Sequence, residues 1–229
     1  MKNTNKTTLI AGSILLGFGL VAAALFFSGG ISTAQQHARN GTASDNNLVM
    51  HGGSPMRDDA AARNIYGNPE AEIVIVEFSD YECPYCSRLH PTLKKVVDES
   101  DGAIKWEYRH LPLAMHKNAR PAAIAAECVG QIAGSDAFWE YSNVILTSQQ
   151  GLSDGFLQEQ AEVLGVDAQE YQGCLTSEVV AQQVTEDEKA ALSFGGSGTP
   201  FSVIVFADGT TKPVSGALPY EQWAQLLNI

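Results

Sequence analysis

"DYECPYCSRLHP", residues 80–91, sets two cysteines two residues apart, directly after an apolar run and at the head of a helical pattern. Such a pair can hold a metal, staple the fold or carry electrons. Zinc takes four ligands, and Cys83 with Cys86 supplies two; the remaining cysteines, Cys128 and Cys174, and the five histidines form no second close pair. A structural disulfide across so short a loop removes little unfolded-state entropy. Redox chemistry fits the local physics better. A cysteine at a helix N-terminus meets the positive end of the helix dipole and unpaired amide donors, which lower its pKa and populate the thiolate. Cys83 is then the exposed nucleophile, and Cys86, one turn into the helix, resolves the mixed disulfide.

The flanks place this pair between a strand and a helix. "EIVIVEFS", Glu72 to Ser79, is rich in β-branched and aromatic residues and nearly continuously apolar, the pattern of a central strand covered on both faces. A helix follows from about Pro84 to Ser100, amphipathic through Leu89, Leu93, Val96 and Val97, with Pro91 as a kink. "AIKWEYRHL", Ala103 to Leu111, alternates as a second strand, which makes a βαβ unit with parallel strands. From His116 to about Phe194 the signals are almost all helical. The pieces are punctuated by Gly134, by an Asp cap before "AFWEYSNVILTSQ", and by Gly165. Strand character returns at Phe201–Phe206 and Thr210–Val214 around an Asp208-Gly209 hairpin turn, and a helix beginning near Pro219 closes the chain. The order is βαβ, helical insertion, ββα.

The chain's start bears on its compartment. Lys2 and Lys6 precede Leu9 to Phe27, an uncharged apolar run about long enough to cross a hydrocarbon core at ~1.5 Å per residue. Residues 1–27 are read as an uncleaved membrane anchor with its positive end in the cytoplasm; the competing assignment is a secretory signal ending at the "STA" before Gln35. Either one exports the rest of the chain to a compartment where disulfides persist. Residues 28–68, rich in Gly, Ser, Ala, Asn and Asp, read as a tether, with a helical turn or two after Ser54-Pro55, and the domain proper is assigned to 69–229. The net charge of −12 is uneven: residues 1–63 carry +2, so residues 64–229 carry −14. Such a domain repels phosphates, which argues against nucleic acid as a partner. A hydrophobic content of 45% is enough for a real core.

Several features in register resemble the thioredoxin fold and, within it, the DsbA-like exported thiol-disulfide oxidoreductases. "VEFSDYECPYC" places Glu77 six residues before Cys83, where such enzymes keep a buried acid; Pro91 stands where their active-site helix kinks; the helical section about 116–194 stands where they carry their insertion; "GTPF" puts Thr199-Pro200 at their cis-proline position. The resemblance covers about residues 65 to 229. It implies an α/β architecture, βαβ and ββα halves around a central sheet, with an inserted all-helical subdomain. It also implies that Pro200 is cis and leaves the Thr199 backbone open to a substrate strand. Glu77 would then hold a raised pKa and exchange a proton with Cys86. Pro84 and Tyr85 tune the pair and border the substrate. In the family a histidine beside the second cysteine accompanies a strongly oxidising site. Tyr85 brings no such charge, which points to a less oxidising potential. Some relatives carry a second disulfide in the insertion, which implies a Cys128–Cys174 bond; the alternative is two buried reduced thiols.

The expected function is that of a membrane-tethered extracytoplasmic enzyme, on the periplasmic or outer face, that donates its Cys83–Cys86 disulfide to cysteine-containing exported proteins. By resemblance it is reoxidised by a membrane quinone-linked partner of the DsbB or vitamin K epoxide reductase type. Neither a metal nor a bound cofactor is implied. The alternatives are a reductase or isomerase of the same fold, and a chaperone that holds clients without turnover. Phe78 and Tyr81 are assigned to packing, and His110 and His116 to structural or surface roles.

Overall fold

Residues 64–229 are described by a computed structural model, and the sheet begins earlier than the composition indicates. Ile65–Gly67, within the segment read as a tether, form strand β1 and pair antiparallel with a later strand, so the ordered domain starts before residue 69. Three residues are too few to show a strand period, which is why the segment reads as linker. Gly67 is required there: its φ is +97°, and a Cβ would stand 2.6 Å from Val97 Cγ1. The anchor assigned to 1–27, the Ser54 turn and the tether up to residue 63 lie outside the described residues. Among the described residues no helix is long and apolar enough to cross a membrane.

The near-continuous apolar run forms β2 (Ile73–Ser79), buried along almost its whole length. Helix α1 (Pro84–Asp98) follows and retains Pro91 inside it, burying Leu89, Leu93, Val96 and Val97. Strand β3 (Ile104–His110) returns parallel to β2, with Ile73 opposite Ile104 and Ser79 opposite His110. Then come α2 (Ala119–Ala133), α3 (Ser135–Thr147), a single 3-10 turn (Gln149–Gly151), α4 (Asp154–Val163), α5 (Ala168–Leu175) and α6 (Glu178–Ser193). Helix α3 is not capped by an aspartate: Gly134 is its cap residue, with φ +92°, and Asp136 lies inside the first turn, where its charge still favours the helix dipole. The chain closes with β4 (Phe201–Val205), β5 (Thr211–Ser215) and α7 (Tyr220–Leu227). Asp208 Oδ1 accepts from the Thr210 amide and hydroxyl, and Gly209 takes φ +84°, which turns the β4–β5 hairpin.

The five strands run in the order β1-β3-β2-β4-β5, with β2 at the centre and only the β2–β3 pair parallel. Alternate residues of β2 face opposite layers. Val74, Val76 and Phe78 meet Phe201, Val203, Val205 and Ala191 on the face covered by α6. Ile75 meets Leu89, Leu93, Trp106 and Trp223 beneath α1 and α7, and that cluster runs on without a break through Phe138, Tyr141 and Leu157 of the insertion. The insertion therefore shares the sheet's core, and burial of such large side chains, at roughly 25 cal/mol per Å² of apolar area, couples the two. This is the α/β fold expected from the sequence.

Candidate active site

The turn between β2 and α1 sets the chemistry. Cys83 is the cap residue of α1, with extended backbone angles (φ −77°, ψ 118°), and Pro84 occupies the first helical turn, where its missing N–H costs nothing. The Cys83 carbonyl accepts from Cys86 N at 3.0 Å and Ser87 N at 3.2 Å, which starts the helix. Both cysteines are free thiols in this structure. Cys83 is less open than its place at a helix start implied: it is 4% exposed, against none for Cys86, because its Sγ lies against the Thr199 carbonyl at 3.3 Å. That contact comes from the loop before β4, 116 residues away in sequence. Tyr85 beside it stands 53% exposed, with the Arg88 guanidinium 4.5 Å over its ring.

The two sulfurs are driven apart electrostatically. Cys83 is lowered to about 5: the Cys86 thiol donates to its sulfur, and Thr199 and the amides of Tyr85 and Cys86 add to this against a smaller penalty from burial. Cys86 moves the opposite way, because burial, its hydrogen bond to Cys83 and the nearby Glu77 all oppose its ionisation. Its sulfur accepts from the Asp80 amide at 3.4 Å.

Glu77 is fully buried on the central strand, opposite Tyr108 on one side and Ser202 on the other. Burial raises its pKa to about 8, only partly eased by Ser79 and Trp106, and the Cys83 charge raises it further. Neither Glu77 oxygen has a hydrogen-bond partner in good geometry among the described residues, and the same holds for Ser79 Oγ, Trp106 Nε1 and Tyr108 OH. A neutral carboxyl here can give a proton to a buried thiolate at little electrostatic cost, whereas a carboxylate would be strongly destabilised.

Thr199-Pro200 is a cis peptide. Just before it, Gly196 packs so closely between β4 and α6 that a Cβ would stand 2.5 Å from the Phe201 ring and 3.0 Å from the Ala191 carbonyl. Cys128 on α2 and Cys174 on α5 are joined in a disulfide 46 residues apart, well away from the redox pair in the chain's order. Among the described residues no group of three or more His, Cys, Asp or Glu side chains is arranged to hold a metal ion.

Several contributors carried no sequence signal. Asp80, its side chain fully buried, accepts from the Leu113 amide (2.8 Å) and from His116 Nδ1 (2.8 Å) through one oxygen and from the Glu82 amide (2.7 Å) through the other. Glu82 in turn accepts from the Asn118 amide and side chain at 2.5 and 3.0 Å. Tyr81, assigned to packing, is buried and also shares a 2.7 Å hydrogen bond with Ser142. His110 meets Glu127 at 2.9 Å in the interior, and Gln183 donates to the same carboxylate. An acidic residue next to a cysteine motif is too common a pattern to have singled out Asp80, and Ser142 and Gln149 had no cue at all.

A family model described as thioredoxin matches residues 60–228. Among solved structures, DsbA2 of Pseudomonas aeruginosa is similar with a TM-score of 0.63 and 28% identity, over 72% of this chain and 92% of that one. A thioredoxin-like oxidoreductase of Silicibacter pomeroyi is similar with a TM-score of 0.62 and 25% identity, over 74% and 92%. A periplasmic thioredoxin-like protein of Salmonella enterica serovar Typhimurium shares the fold, with a TM-score of 0.63 at 19% identity over 81% and 97%. Of curated proteins, the Na(+)/H(+) antiporter NhaA 3 of Salinispora tropica is 33% identical over 138 residues, which are 60% of this chain and 21% of the antiporter. The chain thus spans about a fifth of the length of the curated relatives it matches.

Proposed function

The chain belongs to the thioredoxin family, and from that premise we propose that it is a thiol-disulfide oxidoreductase whose Cys83–Cys86 pair donates a disulfide to cysteine-containing exported proteins. One observation carries the reading: a cysteine with a depressed pKa caps a helix beside a cis-proline loop, above a second cysteine whose ionisation is opposed. Stabilising the Cys83 thiolate stabilises the reduced pair, and a stable reduced form makes the disulfide a better oxidant. That supports donation over reduction, although Tyr85 supplies no positive charge.

The exchange follows from the geometry. With the enzyme oxidised, a substrate thiolate attacks Cys83 Sγ and the Cys83–Cys86 bond breaks. The Cys86 sulfur leaves with the electron pair and takes the proton held by Glu77. The Thr199 backbone aligns the substrate segment as an added strand, with Pro84 and Tyr85 bordering it. A second substrate thiol then loses its proton and attacks the substrate sulfur of the mixed disulfide, expelling Cys83 as the thiolate. The substrate has lost two electrons and gained a disulfide; the enzyme pair has gained both electrons. A two-electron acceptor must restore it, and we assign this to a membrane quinone-linked partner of the DsbB or vitamin K epoxide reductase type.

An extracytoplasmic site of action, with residues 1–27 as anchor and 28–63 as tether, fits the apolar run and the Cys128–Cys174 disulfide. A similar segment within sodium/proton antiporter chains supports a place at a membrane surface. The test is the reduction potential of the pair in the full chain, read by equilibration with glutathione. A value above roughly −170 mV, toward the ~−120 mV of DsbA, supports donation; a value near the ~−270 mV of thioredoxin overturns it in favour of a reductase. Cys86→Ala should trap substrates as mixed disulfides on Cys83. Client binding and cellular function that survive loss of both cysteines would instead make the protein a chaperone.

A further inference from the structure

The segment Asp80–Cys83, which carries the nucleophile out of the sheet, is gripped by the helical insertion and the loop leading into it. Leu113 N and His116 hold the Asp80 carboxylate, Asn118 holds Glu82, and Ser142 of α3 meets the Tyr81 phenol. Gln149, in the 3-10 turn after α3, makes a different contact. Its side-chain amide nitrogen donates to the carbonyl of Tyr81 at 2.9 Å and to the carbonyl of Cys83 at 2.8 Å. It is thereby bonded to the main chain of the nucleophile itself, from 66 residues away in sequence.

The Cys83 carbonyl also receives the Cys86 and Ser87 amides. Its direction therefore governs the first turn of α1, and with it where the Tyr85 and Cys86 amides point relative to Cys83 Sγ. A primary amide suits this position because it offers two neutral N–H donors in one plane and brings no charge beside the sulfur. Lysine would add a charge, and a hydroxyl offers one donor only.

We propose that Gln149 is a positioning residue for the redox reaction: by holding the Tyr81 and Cys83 carbonyls it keeps the α1 amides aimed at the Cys83 sulfur and so stabilises the reduced pair selectively. The selectivity has an electrostatic origin. Aligned amides act on a negative charge, and Cys83 carries one only after the disulfide has been reduced. A brace that merely stiffened the fold would support both redox forms alike and leave their equilibrium where it was. Gln149's role rests on the redox reading of the pair and is independent of the direction of exchange.

The experiment uses the full chain with Gln149→Leu, which keeps bulk and loses both donors, and Gln149→Glu, which keeps length and polarity but donates to neither carbonyl once ionised. Each is equilibrated with glutathione, where two glutathione thiols give up two protons and two electrons to form their disulfide while the Cys83–Cys86 bond is reduced. In Gln149→Leu the equilibrium should move about tenfold toward the enzyme disulfide, ~30 mV for this two-electron couple, and the thiolate absorbance of Cys83 should titrate about one pH unit higher. Gln149→Glu should move both further in the same direction, since it adds a negative charge. Denaturant unfolding should show a larger loss in the reduced form than in the oxidised form. Potentials and titrations within twofold of wild type in either folded variant, with both redox forms destabilised equally, would overturn the role. A wild-type pair that does not equilibrate with glutathione would count against the redox function itself.

Discussion

Replacing Glu77 by glutamine should make the oxidised protein more stable, by an amount that grows with pH. The carboxyl is fully buried, and its pKa rises from 4.5 to about 8, chiefly through desolvation. A folded-state value above the unfolded one means that the folded chain holds the proton more tightly. The associated stability is full below pH 4.5, declines as pH rises, and levels off above about pH 8. The span corresponds to about 5 kcal/mol, of which about 3 kcal/mol has been lost at pH 7. Glutamine keeps the shape, never ionises and carries no such loss. The variant should therefore match wild type within about 1 kcal/mol near pH 4.5 and exceed it by several kcal/mol near pH 9. The assay is denaturant unfolding across that range with the Cys83–Cys86 disulfide formed, which removes the titration of both thiols from the comparison. The same replacement removes the proton held for Cys86 as it leaves, so formation of the mixed disulfide from the oxidised enzyme should slow by about 10²-fold or more. A wild-type to variant difference that stays constant from pH 4.5 to pH 9 would refute the raised pKa and, with it, the role given to Glu77.

Iodoacetamide should alkylate Cys83 of the reduced protein with a rate that rises through about pH 5 rather than the ordinary thiol range, while Cys86 stays unmodified; mass mapping of the labelled sulfur checks both. Replacing Cys128 and Cys174 together by alanine should cost roughly 4 kcal/mol of stability through the loop that spans 46 residues, measured by chemical unfolding, with little change in the potential of the redox pair. Gly196→Ala should destabilise the fold by about 1–3 kcal/mol, because the new methyl meets the Phe201 ring at 2.5 Å. Since Phe201 lies two residues from Thr199, whose carbonyl meets Cys83 Sγ, substrate affinity should fall with stability, and a Michaelis constant unchanged from wild type would contradict the coupling.

The amino-acid sequence by itself determined the elements and the chemistry of the central motif. The apolar run of β2, the amphipathic period of α1 and the Asp208-Gly209 turn are local signals, each set by neighbours a few residues apart. The redox pair was legible for the same reason, since a helix start acts on Cys83 through the nearby amides of Tyr85 and Cys86. Glu77 and Pro200 were legible only through resemblance, because a lone acid in an apolar strand and a lone proline in a loop have several ordinary explanations. Strand β1 was missed because three residues leave no period to read, and its partner in β3 lies some forty positions on. The tertiary structure alone decided what surrounds the sulfurs. Thr199 reaches Cys83 across 116 residues, Gln149 across 66, and His116 reaches Asp80 across 36. The Gln149 and His116 contacts depend on where the insertion packs against the sheet, and the Thr199 contact on the loop that leads from it into β4. That placement comes from a shared apolar core, a non-directional force that leaves no residue-by-residue signature, and the polar contacts that tune the site are formed only once it is in place.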